Sequence, residues 1–329
     1  MEFLRVEADS VEPFITAPDY VEMASNIKIT FIGTGGSWPS PGRGLPAVAV
    51  QIDEIINLFD CGEGSQKQLM KSSLSFMAIE NVFITHFHGD HFLGLLGMVQ
   101  SMSFNNREKP LHIYGPKGAI RTLSSALNIG YYRPKFEIRV GELEADRNYD
   151  FGKFRISTMK NDHTVPAMSY RLEEPDMVRI DREKAENLGI PPRKLEELRT
   201  NGILELDSKT YTLDQVSGGI RKGRRIVYTG DTRPMDTMVE FARGVDVLIH
   251  ETSTDSTLEP KVNEFGHTSA RQAAEIAKKA GVGKFFLYHY SPRYESIESL
   301  INEALEIYPQ SVASKELMEY EIPVRHESG

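Results

Sequence analysis

ITHFHGDHFLGLLGMVQS, residues 84–101, decides how this chain is read. Three of its 9 histidines, His86, His88 and His91, fall inside one hexapeptide, with Asp90 between the last two. Neutral imidazole and carboxylate are good ligands for zinc and similar divalent ions. Residues two apart on an extended segment project to one side, so His86 and His88 can chelate one ion. Asp90 and His91 come as a helix begins and turn toward a neighbouring position. The apolar strand NVFIT precedes the motif and the dense apolar run FLGLLGMVQSM follows it. The motif therefore sits between a strand end and a buried helix, a connection of the kind on which sites are built.

Working outward, the same ligand types recur just past other hydrophobic strands. His163 lies in KNDHTVPAM, Asp231 in VYTGDTRP and His289 in FFLYHYSPRY. Several strand ends can converge on one site. Seven ligand residues are too many for one tetrahedral ion. Two ions sharing a bridging carboxylate fit better, and such pairs, roughly 3.5–4 Å apart, recur where phosphate esters are hydrolysed.

The periodicity predicts a strand over 27–33 and then AVAVQI and EIINLF as a hairpin turning at Asp53 and Glu54. A short helix over 66–72, strand LHIYG, a helix over 120–127 and strands near 136–140, 154–159 and 168–172 complete a first half. The second half repeats the rhythm with RRIVYTGD, DVLIHE, SARQAAEIAKKAG, KFFLYHY and an amphipathic helix over 297–307. Hairpins mixed with crossover helices imply an α/β chain (α+β by some schemes), two packed sheets with helices outside. Residues 1–25 read as an N-terminal extension and 26–329 as one catalytic domain. Within it, residues 173–202 read as a charged insertion, a short helical arm; 173–199 hold eight acids and six bases.

The chain has 329 residues, and 38 basic against 47 acidic side chains give a net charge of −9. Disorder and low-complexity scaffolding are excluded by a 40% hydrophobic content. The single cysteine, Cys61, excludes an intrachain disulfide and any multi-cysteine metal site. That favours a reducing, cytoplasmic setting, as does an N-terminus without the secretory pattern. No apolar run approaches membrane-spanning length, so no membrane contact is expected. A −9 chain is a poor general binder of polyanions, but a local basic face can serve. The densest cluster is Arg221-Lys222-Gly223-Arg224-Arg225, just before the strand that delivers Asp231, with Arg133, Lys135, Arg193 and Lys194 as further cations.

FIGTGGSWPSPGRG, FDCGEGSQKQLM, the histidine motif, IYGPKG, VYTGDTRP, GHTSARQAAEIAKKAG and HYSPRY together resemble the metallo-β-lactamase superfamily. GHTSA followed by HYSPRY is similar more narrowly to the ribonuclease Z family, which trims the 3′ trailer from precursor tRNA. The resemblance implies a four-layer αββα sandwich and two zinc ions per chain, with manganese or another divalent ion as alternatives. It implies one ion on His86, His88, His163 and Asp231, and the other on Asp90, His91, Asp231 and His289, with Asp231 bridging. It further implies Asp90 as the acceptor of the attacking water's proton, His267 as the acid for the leaving oxygen, and Glu251 as the group orienting His267. His250, His112 and His326 read as structural. Ser291 and Arg293 are candidate phosphate contacts.

Two departures stand out. The family's P-x-K-x-R-N loop here reads PSPGRGLP, with Arg43 in the basic role but no Lys or Asn. The family's arm carries a Gly-Pro element, and the matching stretch here is GIPPRKLEEL. The expected function is cleavage just after the discriminator base, leaving a tRNA 3′-hydroxyl and a trailer 5′-phosphate, by a cytoplasmic homodimer acting on precursor tRNA. The alternatives are a small-molecule phosphodiesterase or arylsulfatase-like hydrolase on the same fold, and an RNA-binding module without turnover.

Overall fold

Three apolar stretches, IKITFIG, AVAVQI and IINLF, pair as an antiparallel ribbon at one side of the first sheet. In the computed structural model, which describes residues 4–6, 26–129, 131 and 133–324, they span Ile27–Gly33, Ala47–Ile52 and Ile55–Phe59. The hairpin turns at Asp53, whose φ of 53° is the left-handed conformation such tight turns use. From Ile55–Phe59 the sheet continues in parallel through Ile79–Phe83, Leu111–Gly115 and Ile138–Glu142. Leu4–Val6 adds a parallel edge strand beside Ile138–Glu142, and Glu319–Glu321 closes the other edge against Ile27–Gly33. The remainder of the expected extension, residues 1–3 and 7–25, lies outside the described residues.

The second sheet has seven strands. Ser311–Ala313, Lys284–Tyr288, Val247–Glu251 and Arg225–Tyr228 run parallel; Met168–Glu173 turns antiparallel, followed by Arg155–Lys160 and Asn148–Asp150. Between the sheets lies an aromatic layer that includes Phe31, Phe59, Phe83, Tyr170, Tyr228 and Tyr288. Phe59 and Phe83 stack with centroids 5.2 Å apart, a contact that adds about 0.5–1.5 kcal/mol beyond its buried area. Helix Gly89–Phe104 packs Leu95, Met98 and Met102 onto the outer face of the first sheet. Helix Ala270–Ala280 packs its alanine face onto the second. The layers are therefore helix, sheet, sheet, helix. No helix among the described residues is long and apolar enough to cross a membrane.

The insertion is larger than the charged stretch 173–202. The chain leaves the sheet after Glu173 and returns at Arg225. In between, Met177–Ile180 pairs with Ser217–Arg221, and Ile203–Leu206 with Lys209–Thr212. Ala185, Ile190, Leu198, Leu204 and Val216 form a small core of its own. Residues 203–224 are thus part of the arm, and Leu204 and Val216 are core where the sequence showed only short apolar intervals.

The root of this insertion corrects the basic-patch reading. Arg224 is 1% exposed, its Nε and Nη2 each 2.9 Å from the two carboxylate oxygens of Glu174, while Nη1 donates to Ile322 O. Arg221 donates to the same carboxylate, Lys222 pairs with Asp176 at 2.7 Å and Arg225 with Glu173 at 3.3 Å. Arg224 is unavailable to RNA, and Arg221 and Lys222 are neutralised. The cluster also sits at the N-terminal end of Arg225–Tyr228, whereas Asp231 follows its C-terminal end, so one strand length separates it from the site.

Burial alone would raise the pKa of Glu174, but Arg224 and Arg221 lower it below the ordinary value. Its stabilisation is therefore complete above the ordinary glutamate pKa and disappears as pH falls through the lowered one. Glu174→Ala leaves Arg224 buried without its partner and is expected to destabilise the chain by about 3–5 kcal/mol in denaturant titration. A loss under about 1 kcal/mol would show that the pair is not what holds the root.

Candidate metal centre and active site

Six strand ends open on one edge of the sandwich, and each supplies a polar residue. Asp60 follows Ile55–Phe59, His86 and His88 follow Ile79–Phe83, His163 follows Arg155–Lys160, and Asp231 follows Arg225–Tyr228. Glu251 ends Val247–Glu251 and His289 follows Lys284–Tyr288. Asp90 and His91 lie in the first turn of helix Gly89–Phe104, with His88 as its N-cap residue in extended conformation. Ligands gathered at the C-terminal ends of strands are the usual arrangement in such sheets.

The structure brings all seven expected ligands together. His86 Nε2 and His163 Nε2 lie 3.0 and 3.2 Å from His88 Nδ1, so three imidazole nitrogens meet at one point. A second group holds Asp90, His91 and His289. Asp231 spans the two, with Oδ2 3.4 Å from His91 Nε2 and 3.8 Å from His86 Nε2, and Oδ1 3.2 Å from His289 Nε2.

The outward nitrogens of these rings are engaged elsewhere. His91 Nδ1 is 2.7 Å from Asp60 Oδ2, His86 Nδ1 3.1 Å from Thr85 Oγ1, and His163 Nδ1 2.8 Å from Gly266 O. Such partners fix the tautomer and aim the other nitrogen at a metal. His289 and Asp60 both hold left-handed backbones, φ 61° and 55°, a strain characteristic of functional sites. Gly36 is required beside His289, because a Cβ there would lie 2.3 Å from the imidazole Cε1.

The donors fit divalent ions. His91 Nε2, His289 Nε2 and Asp231 Oδ1 are buried and lack hydrogen-bond partners, yet face one another. Burial, reinforced by His91, holds His86 well below the ordinary histidine pKa, and burial also lowers His88, so both rings are neutral donors. At His91 burial opposes charge, but Asp231, Asp60 and Asp90 raise the pKa well above its usual value. The carboxylates thus demand positive charge at the centre, which cations supply.

His267 stands beside the cluster, Nδ1 3.1 Å from Glu251 Oε2 and 3.6 Å from Asp231 Oδ2. Burial lowers its pKa, but Glu251 and Asp231 outweigh that and raise it to about 9. Glu251 is itself fixed by hydrogen bonds from Thr232 N and Ser253 Oγ.

Other expected residues fall differently. Arg43 is half-buried and donates to the carbonyls of Tyr294 and Glu295, so it ties two site loops together rather than offering a free cation. Ser291 and Arg293 line a cavity beside His267 and His289. Arg293 is exposed and has no ion pair among the described residues. His250 is buried with Nδ1 on Glu251 O, and His112 is partly buried with its pKa lowered to about 4, mainly by burial; both are structural. His326 lies outside the described residues. Burial pushes the Cys61 thiol up to about 12, so it is no ligand or nucleophile.

Asp60 was missed. It accepts from Thr85 N, Thr85 Oγ1 and Tyr228 Oη while holding His91. The available signal was its place in FDCG, an aspartate just past the end of an apolar strand. Asp60→Asn is expected to weaken metal affinity about 10–100-fold in chelator competition; unchanged affinity would remove it from the site.

Sequence and structure comparisons agree with this picture. A family described as "Beta-lactamase superfamily domain" matches residues 200–290, and one described as "Anti-Pycsar protein Apyc1" matches 27–179. The first of these matches, with the four layers and the histidine cluster, defines a metallo-β-lactamase fold. Ribonuclease Z of Thermoplasma volcanium is 60% identical over 304 residues, 92% of this chain and 100% of that protein. Ribonuclease Z of Thermoplasma acidophilum is 62% identical over 93% and 99% respectively. The crystal structure of human tRNase Z, short form, superposes with a TM-score of 0.66 at 27% identity, covering 90% of this chain and 100% of that one. The chain belongs to the ribonuclease Z family.

Proposed function

We propose that this chain is an endoribonuclease that removes the 3′ trailer of precursor tRNA, leaving a 3′-hydroxyl on the tRNA and a 5′-phosphate on the trailer. The observation that carries the proposal is the convergence of seven ligand residues, Asp231 among them, with His267 held by Glu251 at their side. His86, His88, His163 and Asp231 would hold one zinc ion, and Asp90, His91, Asp231 and His289 a second; manganese or another divalent ion also suits these donors. Bound there, the ions supply Lewis acidity, lowering the pKa of water and countering charge on the phosphate and leaving oxygen.

The chain's own groups do the rest. Asp90, positioned by the Ser37 N–H at 2.8 Å, orients the attacking water and accepts its proton. His267, protonated against Glu251, gives a proton to the 3′ oxygen as the P–O bond breaks. We further assign the chain to the cytoplasm and to a homodimer, the latter checked by light scattering.

Labelled precursor tRNA and bis-(p-nitrophenyl) phosphate, assayed in parallel, test the reading. Single-position RNA cleavage is expected; hydrolysis of the small diester alone would transfer the site to small-molecule substrates. His267→Ala is expected to slow RNA cleavage about 10²–10⁴-fold while metal content stays unchanged. Loss of metal in that variant would make His267 a ligand instead.

A further inference from the structure

The site opens into two cavities, and the chemistry of the products orients the RNA between them. One, about 250 Å³, is lined by Ser37, Lys261, Phe265, Ser291 and Arg293 beside His267. The other, about 1200 Å³, lies on the His163 side and includes Lys117, Tyr149 and Lys160. If water attacks phosphorus and the P–O3′ bond breaks, the leaving oxygen belongs to the last nucleotide the tRNA retains. His267 protonates that oxygen, so that nucleotide lies on the side of His267, in the smaller cavity.

The smaller cavity has what a nucleotide needs. Phe265 is 59% exposed, an unusual position for a large aromatic ring, and pairs with no other ring among the described residues. It is not on a loose loop: Gly266, at φ 85°, bonds through its carbonyl to the metal-ligand candidate His163, and His267 N donates to Val262 O. The ring and the acid are therefore delivered two residues apart on one tethered turn. Lys261 and Arg293 are exposed and without ion pairs among the described residues, so both are free for a backbone phosphate.

We propose that Phe265 stacks on the base of the last retained nucleotide, with Lys261 and Arg293 on the phosphate to its 5′ side, while the trailer leaves through the larger cavity. This rests on the ribonuclease reading above. Stacking on a base tolerates any sequence, since every base has a π face, which suits a position that varies between substrates.

The test is a cycle of Phe265→Ala against precursor tRNA carrying an abasic unit at the last retained position or at the first trailer position. On intact precursor, Phe265→Ala is expected to lower kcat/KM about 5- to 150-fold, and Phe265→Trp to restore it. On the precursor abasic at the last retained position the same variant is expected to lose nothing further. On the precursor abasic in the trailer it is expected to lose the full amount. Equal losses on all three substrates, a loss under twofold on intact precursor, or non-additivity only with the trailer would overturn the assignment. Failure of the unaltered protein to cut intact precursor is a separate result, and it would overturn the ribonuclease reading itself.

Discussion

Asp90→Ala is expected to lower the single-turnover rate of precursor cleavage by several orders of magnitude while the chain still folds. Asp90 sits in the first turn of helix Gly89–Phe104 with its Oδ2 3.6 Å from both His91 Nε2 and His289 Nε2. Burial works against its charge, but His91 and His289 hold its pKa down to about 2, so it is a carboxylate at every working pH. Alanine removes at once an acceptor for the water's proton, a role that contributes about 10²–10⁴-fold, and a ligand to one ion. The core resides in the aromatic layer and the helix–sheet contacts, none of which includes this side chain. A variant that cuts in a single turnover at nearly the normal rate would show that the carboxylate plays neither part.

The second large effect concerns Asp231. Metal-replete protein is expected to hold two divalent ions per chain by elemental analysis, and Asp231→Ala to lose both along with detectable cleavage. Its carboxylate faces His91, His86, His289 and His267, so its removal disturbs both clusters. Chelation of the unaltered protein should produce the same inactivity and a lower thermal midpoint. An ion present at 1,000 times its dissociation constant adds about 4 kcal/mol to folding stability. One ion or none under replete conditions, or a midpoint indifferent to chelation, would contradict the paired centre.

The parts of this molecule that could be read in advance are those encoded locally. His86, His88, Asp90 and His91 announce themselves by spacing, and the apolar strands before Asp231 and His289 show that these residues stand at strand ends. The two-sheet architecture followed from the same rhythm. What escaped depends on partners distant in the chain. Four cations in five positions around Arg224 look like a surface patch until antiparallel pairing brings Glu173, Glu174 and Asp176 alongside them. Asp60 shows no spacing signal because its partners, His91 and Tyr228, arrive from the helix after the next strand and from the other sheet. Arg43 reads as a basic RNA contact, and only the fold shows its guanidinium spent on the carbonyls of Tyr294 and Glu295. The arm's second half was hidden for a related reason. A core of five residues spread over 185–216 has no strong period in any one segment.

Water, positioned at this centre, is expected to cleave the bond to the 3′ oxygen of the tRNA. Identification of both new ends after cleavage of one precursor tRNA tests it most directly. A free 3′-hydroxyl on the tRNA and a 5′-phosphate on the trailer are expected, at a single position. A 2′,3′-cyclic phosphate on the tRNA with a 5′-hydroxyl on the trailer would mean that the RNA's own 2′-hydroxyl attacks, and would contradict it.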